Sequence, residues 1–363
     1  MIVGFPESYA ESRDRFRNAA DALGAELTSQ KLDIEGNSEL SIDVAFLGAP
    51  ELPTIVVSSG LHGVEGPFGA AVQLAWLNQQ QGKPIQARYV LVHALNPYGY
   101  AMGRRVNECN VDLNRNFLQS GRYDGASSDS ENDDYGRFNA LLNPAQSPGR
   151  VDVFMLKALG YLVREGRQQL QNAIVTGQYD YPQGLFYGGC AKSQTTQIIE
   201  KHMPCWVGES PKICHLDFHT GLGTFSRCQL MIQTVPESAR YQWFEGAFGA
   251  NELLPTGNFE LAEHQAYQAN GAMGDWLMQC FADRPYHFVT AEFGTYSALK
   301  VLNALRIENQ AFHYCAPDST TRAYAKQRLE ECFCPRSRRW RDAVVARGLR
   351  LIDQASRALC AVT

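Results

Sequence analysis

The chain has 363 residues, of which 45% are hydrophobic and 20% are charged, values that are ordinary for a folded globular enzyme and exclude a disordered chain. Its 33 basic and 38 acidic side chains give a net charge of −5, which argues against nucleic acid or an anionic membrane surface as a partner. The opening residues MIVGFPESYAESRDRF contain no apolar signal segment, and no later stretch reaches the roughly 18 apolar residues of a membrane span, so we expect a soluble, cytoplasmic protein.

The first hundred residues predict a strand, a helix and a second strand. The β-branched run at residues 54–59 ends at Gly60, which is typical of a buried strand that enters a loop. Apolar residues then recur at helical spacing between Gly66 and Gln81. A second buried run follows at residues 88–93, so the chain begins as an α/β fold.

The remainder of the chain continues this alternation. A polar stretch at residues 120–135 predicts a surface loop. The further predicted strands are at residues 213–218, 229–233 and 287–292, and the further predicted helices are at residues 154–174, 273–281, 299–312 and 338–359. These elements predict an α/β protein with a single mixed β-sheet covered by helices on both faces.

The loop after the first strand carries the first candidate metal ligands. His62 and Glu65 lie three residues apart at the carboxyl end of a strand, where open α/β sheets place their ligands. Gly63 allows the loop to turn both side chains toward one point. An imidazole and a carboxylate are two of the three protein ligands of a typical catalytic zinc. Taken alone, the tetrapeptide also fits a loop histidine and a surface glutamate.

Two motifs after the second strand support the interpretation of this loop as part of a metal site. They are Asn96-Pro-Tyr-Gly-Tyr100 and the segment from Arg105 to Phe117, which contains Asp112-Leu-Asn114-Arg115. In order and character they resemble the zinc carboxypeptidase family, in particular a bacterial branch of largely unassigned function.

The resemblance assigns roles to four polar residues of the second motif. It implies that Asn114 and Arg115 bind the carboxylate of the substrate, that Arg105 polarises the scissile carbonyl, and that Asp112 orients His62. A planar guanidinium suits both carboxylates and developing oxyanions, in agreement with these roles. The alternative is a solvated polar loop whose cations pair with nearby acids, and this alternative stays open for Arg104.

The third metal ligand is expected from another strand end, where the sequence offers His215 and His219. The glycines at 221 and 223 exclude a helix, so the two rings lie on one face of a strand, about 13 Å apart. They are too distant to share an ion. His219, which closes the strand, is the predicted ligand, as the resemblance also implies, and His215 is a core residue or an outer contact of the site.

Two residues complete the predicted site. The segment that starts at Tyr267 resembles the part of pancreatic-type carboxypeptidases in which a mobile tyrosine covers the substrate. The strand at residues 287–292 ends in Glu292, where the family keeps its catalytic glutamate, so we expect Glu292 to act as general base and acid. The alternatives are an exposed loop tyrosine and a strand-end glutamate paired with a lysine.

The resemblance extends from about Leu52 to Tyr296 and implies one catalytic domain over residues 1–363, with an insertion at about 118–210. It implies a metallopeptidase or amidohydrolase with one zinc ion, acting on a peptide or small amide that has a free carboxylate. A deacylase of N-acyl amino acids is the alternative enzyme. A non-catalytic zinc or peptide-binding domain is the alternative of another class.

Overall fold

The computed structural model describes residues 4–37, 39–119, 123, 134–149, 154–165, 170, 174–256 and 270–361. The strands are β1 (Glu26–Lys31), β2 (Ser41–Leu47), β3 (Thr54–Ser59), β4 (Arg88–His93), β5 (Ile213–Gly221), β6 (Cys228–Ile232), β7 (Leu253–Pro255) and β8 (Tyr286–Gly294). The helices are α1 (Tyr9–Asp21), α2 (Gly66–Gln80), α3 (Pro97–Met102), α4 (Asp134–Leu142), α5 (Phe154–Glu165), α6 (Gln194–Val207), α7 (Ala239–Phe248), α8 (Met273–Cys280), α9 (Ala298–Tyr314), α10 (Thr320–Phe333) and α11 (Arg338–Cys360).

The strands form one mixed sheet in the order β1-β2-β4-β3-β5-β8-β6-β7. The four central strands, β4, β3, β5 and β8, run parallel. An antiparallel hairpin of β1 and β2 extends the sheet beside β4, and β6 with β7 extends it beside β8, β6 running antiparallel to β8. The carboxyl ends of the four central strands therefore meet at one edge.

Both faces of the sheet are covered by helices, as the sequence predicts. One face packs against α1, α2, α7 and α11, and its core includes Phe68, Phe218 and Trp340. The other face packs against α6 and α8, with Met203 and Met273 in its core. Strands β3, β4 and β5 are buried at every position, which explains the continuous apolar runs at residues 55–57 of β3 and 89–92 of β4. In β5, apolar residues alternate with the polar residues His215, Asp217 and His219.

A third layer lies beside the sheet. The helices α4, α5, α9 and α10 form their own apolar cluster, which also contains Val64 and Phe186. This cluster supports the turn that carries the first candidate metal ligands. Within the part of the chain described above, no helix combines the length and apolarity needed to cross a membrane.

The sequence analysis did not predict several elements of the structure, among them the strands β1, β2 and β7 and the helices α1, α6, α7 and α10. The other differences concern boundaries. Strands β5 and β8 continue to Gly221 and Gly294, beyond the predicted ends. The helix predicted over residues 154–174 is present as far as Glu165, and most of its remainder lies outside the described residues. The loop predicted at 120–135 is also largely outside them, except that its last two residues already belong to α4.

Candidate metal centre and active site

The candidate site lies at the carboxyl edge of the parallel strands. The strand β3 ends at Ser59 and leads into the loop of His62 and Glu65. His219 lies near the end of β5, and Glu292 lies beside it in register on β8. Three neighbouring strands thus deliver the candidate ligands and the candidate general base to one point.

The turn of residues 63–65 is fixed by its neighbours in space. Gly63 and Val64 donate backbone hydrogen bonds of 3.1 and 2.8 Å to the carbonyl oxygens of Arg105 and Arg104. A Cβ on Gly63 would lie 2.1 Å from the carbonyl carbon of Gly99, so only glycine fits this close approach. The metal loop and the segment that begins at Arg104 are therefore packed backbone to backbone.

Three ligand atoms converge on one point. The Nδ1 atom of His62 lies 2.9 Å from Glu65 Oε1 and 3.2 Å from His219 Nδ1. His219 Nδ1 lies 3.3 Å from Glu65 Oε2. One ligand atom from each residue lies within 4.8 Å of the others, and all three side chains are buried. Two imidazole nitrogens and a carboxylate are the donor set of a catalytic zinc site with an open position.

The outer nitrogen of each histidine contacts a carboxylate. His62 Nε2 lies 3.2 Å from Asp112 Oδ1, and His219 Nε2 lies 2.6 Å from Asp217 Oδ2. A proton on each Nε2 is donated to the carboxylate and leaves the lone pair of Nδ1 directed at the site. Carboxylates that orient metal-binding histidines in this way are typical of metal sites, so the residues present fit a metal ion.

Charge within the cluster agrees with this interpretation. Burial alone would raise the pKa of Glu65, but the two histidines outweigh it and lower the pKa to about 2. Burial would likewise lower the pKa of His219, yet Asp217 and Glu65 raise it well above its usual value. A cluster that concentrates negative charge around two imidazoles is suited to a cation.

Glu292 adjoins the cluster without being part of it. Its side chain is 9% exposed, and Oε1 accepts a 2.8 Å hydrogen bond from the backbone N–H of Leu222. Burial, with a smaller contribution from the charge of Glu65, raises the pKa of Glu292 to about 7. A carboxyl group with such a pKa can both accept and return a proton near neutral pH.

Arg105 also borders the candidate metal centre. Its Nε donates a 3.1 Å hydrogen bond to Asp112 Oδ2, and its Nη1 lies 3.7 Å from Glu65 Oε1. The guanidinium also lies 5.9 Å from the ring centroid of Phe186. Asp112 therefore binds both His62 and Arg105 through its two oxygens.

Asn114 and Arg115 lie in the short 3₁₀ turn that follows Asp112. Asn114 Oδ1 accepts a 3.1 Å hydrogen bond from the backbone N–H of Met273, which leaves the amide nitrogen as the free donor of this side chain. Arg115 is buried, its Nη1 donates to the carbonyl of Asn114, and its Nε has no hydrogen-bond partner among the residues that the structure describes. Burial lowers the pKa of this guanidinium. An unpaired N–H on a buried cation is a binding site for an anion.

Two other residues that the sequence singled out lie elsewhere. Arg104 points away from the site and pairs with Glu308 of α9 at 2.8 Å. His215 contacts Ser58 at 2.7 Å rather than the ligand cluster, so its exclusion as a ligand agrees with the geometry. Tyr267 lies outside the described residues.

Asp217 is the residue of the site that the sequence analysis missed. Its carboxylate lies on the same strand face as His219, two residues earlier. An acidic residue two positions before a histidine on a buried strand was the available signal, because side chains two apart share a face.

Comparisons with known proteins give a fold likeness and a family. Among solved structures, the chain is similar to a protein described as a putative metallopeptidase from Shewanella amazonensis, with 14% identity, coverage of 90% of this chain and 93% of the other, and a TM-score of 0.44. It is similar to a carboxypeptidase A from Helicoverpa armigera, with 13% identity, coverage of 94% and 73%, and a TM-score of 0.45. It is also similar to an aspartoacylase family protein from Mesorhizobium loti, with 13% identity, coverage of 82% and 68%, and a TM-score of 0.39.

A search of curated protein sequences found no match to this chain. A family model matches residues 5–347, which is nearly the whole sequence. The chain therefore belongs to the family described as "Protein of unknown function (DUF2817)".

Proposed function

We propose that the chain is a zinc-dependent hydrolase that cleaves a C-terminal peptide bond, or a comparable amide bond, next to a free carboxylate. The observation that carries the proposal is the convergence of His62, Glu65 and His219 within 4.8 Å, with Glu292 in register with His219 on the neighbouring strand. Three ligands beside a separate acid or base are the pattern of a catalytic rather than a structural zinc site.

His62, Glu65 and His219 would bind the zinc ion. When bound, this ion supplies Lewis acidity, which lowers the pKa of a water molecule and polarises a carbonyl group. Glu292 takes a proton from the attacking water and passes it to the nitrogen of the leaving group, a role that its pKa of about 7 supports. Asp112 and Asp217 keep the two histidines in the tautomer that binds metal.

The substrate is positioned by three residues of the segment after Arg104. Arg105 donates to the carbonyl oxygen, where negative charge develops as the bond is attacked. Arg115 and the amide nitrogen of Asn114 bind the substrate carboxylate, which the unpaired Nε of buried Arg115 supports. Among the described residues, Arg115 has the charge of Asp112 nearby but no direct ion pair, so a substrate carboxylate would be the direct anionic partner of this buried cation.

The same clamp suits a second substrate class. Arg115 and Asn114 recognise a carboxylate and not the group on the other side of the scissile bond, so an N-acyl amino acid fits them as well as a peptide does. We keep a deacylase of N-acyl amino acids as the second candidate. A non-catalytic zinc domain is less well supported, because a closed structural site takes four protein ligands and the described residues supply three.

The first experiment measures zinc content and hydrolysis in the parent and in a Glu292→Gln variant. We expect one zinc per chain in both proteins and a loss of about 10²- to 10⁴-fold in kcat for the variant, the usual contribution of a general base. Glu330→Gln is the matched control, because Glu330 is a partly buried glutamate on α10 that pairs with Lys326 at 3.8 Å rather than with a metal ligand, and its pKa is raised by burial. Equal activity of the parent and Glu292→Gln, or absence of zinc from the purified parent, would contradict the proposal.

The second experiment decides between the substrate classes. The zinc-loaded parent is incubated with a library of peptides and, separately, with a panel of N-acyl amino acids, and the products are identified by mass spectrometry. Release of C-terminal residues supports a carboxypeptidase. Turnover of N-acyl amino acids alone supports the deacylase and refutes the peptidase.

A further inference from the structure

Five buried side chains form one continuous hydrogen-bonded chain beneath the candidate metal centre. His219 Nε2 contacts Asp217 Oδ2 at 2.6 Å, and Asp217 Oδ1 contacts Ser58 Oγ at 2.6 Å. Ser58 Oγ contacts His215 Nε2 at 2.7 Å, and His215 Nδ1 contacts the hydroxyl of Tyr286 at 2.8 Å. None of the five is more than 2% exposed.

The sheet register brings these residues together. His215, Asp217 and His219 share one face of β5, because residues two apart on a strand point to the same side. Ser58 lies beside Asp217 in the parallel pairing of β3 with β5. Tyr286 comes from the start of β8, which pairs with the other side of β5. The hydrogen-bonded network therefore joins three central strands and extends from the site toward the opposite end of the sheet.

The hydrogen bonds are mutually consistent with only one set of proton positions. An ionised carboxylate only accepts, so His219 Nε2–H and the Ser58 hydroxyl both donate to Asp217. Ser58 has then used its proton and must accept from His215 Nε2–H. His215 Nδ1 is left with a lone pair and accepts from the Tyr286 hydroxyl. Every group has a partner, and the proton held on His219 Nε2 would leave the lone pair of Nδ1 to a bound metal ion.

The hydrogen-bonded network is suited to holding His219 in position rather than to transporting protons. It ends at Tyr286, which is 1% exposed and stacks on Phe281, so its far end does not reach solvent. A buried network in which every member is satisfied rigidifies its surroundings, and breaking one link leaves a buried polar group without a partner.

We propose that Ser58, His215 and Tyr286 are positioning residues of the metal site, which act through Asp217 to fix the orientation and tautomer of His219. The inference rests on the proposed function, because it takes His219 as a metal ligand. His215 lies four residues before His219 on the strand and is therefore too distant to be a ligand. The inference gives it an indirect role instead. Outer contacts of metal-binding histidines commonly change metal affinity by about 10- to 100-fold when they are removed.

The test measures the dissociation constant for zinc, by competition with a chromophoric chelator, in the full-length parent and in three variants. Ser58→Ala breaks the chain next to Asp217, and we expect it to weaken zinc binding by about tenfold or more. Tyr286→Phe removes only the last link, and we expect a smaller but measurable weakening. Ser59→Ala is the matched control, because Ser59 is equally buried, lies on the other face of β3 against Gly69, and its hydroxyl has no hydrogen-bond partner in the described parts of the chain.

The thermal unfolding of the metal-free proteins separates positioning from stability. A purely structural role would lower the melting temperature of Ser58→Ala while leaving its zinc dissociation constant equal to that of Ser59→Ala, and this result would overturn the inference. If Ser58→Ala does not fold, an unchanged dissociation constant in Tyr286→Phe overturns it instead. If the parent itself binds no zinc, the proposed function fails. If the parent binds zinc but the variants bind it equally well, only the present inference fails.

Discussion

Asp112→Asn tests how the metal loop and the arginine segment depend on one carboxylate. Asp112 is fully buried; Oδ1 accepts from His62 Nε2 and from the backbone N–H of Asn114 at 3.1 Å, and Oδ2 accepts from Arg105 Nε. Burial alone would raise its pKa, but Arg105 and His62 lower the pKa well below its usual value, so the group is ionised. Asparagine has nearly the same shape but only one acceptor oxygen.

The expected loss follows from this count of acceptors. If the amide oxygen remains with His62, the amide NH₂ faces the N–H of Arg105, and the reverse orientation opposes His62. A hydrogen bond to a charged group contributes about 1.5–3 kcal/mol, which corresponds to about 10- to 150-fold in a rate or binding constant. We therefore expect a fall of this size either in kcat/KM of the zinc-saturated enzyme or in zinc affinity.

The assay combines zinc competition with steady-state kinetics at saturating zinc. Asp43→Asn is the matched control, because Asp43 of β2 is also a fully buried aspartate and pairs at 2.7 Å with Arg17 of α1 rather than with a residue of the metal site. The control should lose stability but keep its zinc affinity. If Asp112→Asn binds zinc and turns over substrate as the parent does, Asp112 does not orient these residues and the reasoning fails.

Two further predictions concern stability. Gly63→Ala places a methyl group 2.1 Å from the backbone of Gly99. We therefore expect chemical denaturation to show a loss of about 1–3 kcal/mol in the free energy of unfolding, together with a loss of zinc from the purified protein. Normal zinc content would contradict the close packing. Burial opposes ionisation of Asp43, but Arg17 and two serines lower its pKa in the folded protein. This contribution to stability is complete above the unfolded pKa of about 3.9 and is lost as pH falls through the lower folded pKa. Acid titrations of unfolding should therefore show a shallower loss below pH 4 for Asp43→Asn than for the parent, and parallel curves would refute the assignment.

The site was predictable where its signals are local in the sequence. His62 and Glu65 follow an apolar run that is closed by Gly60, and His219 lies just before Gly221 near the end of β5, so each strand and its end were visible together. The exclusion of His215 followed from the rise of a strand alone, without knowledge of its partners. The parallel order of β3, β5 and β8 then makes three separate strand ends converge.

The hairpin of β1 and β2 was not predictable in this way. β1 reads Glu-Leu-Thr-Ser-Gln-Lys and is exposed or partly exposed at every position, so it carries no apolar pattern. It is a strand because its backbone pairs with β2, a contact between segments that no local signal reports. Edge strands depend on such pairing more than central strands do.

Arg104 and Arg105 show how neighbouring residues can serve different parts of the fold. Arg104 points to α9, where Glu308 lies 204 residues away in the sequence, and Arg105 points to the metal centre. Their carbonyl oxygens both accept from the metal loop, at Gly63 and Val64. The metal loop, the arginine segment and α9 are thus one hydrogen-bonded unit. A substitution that displaces Arg104 should consequently disturb zinc binding as well as substrate binding, although Arg104 itself touches neither.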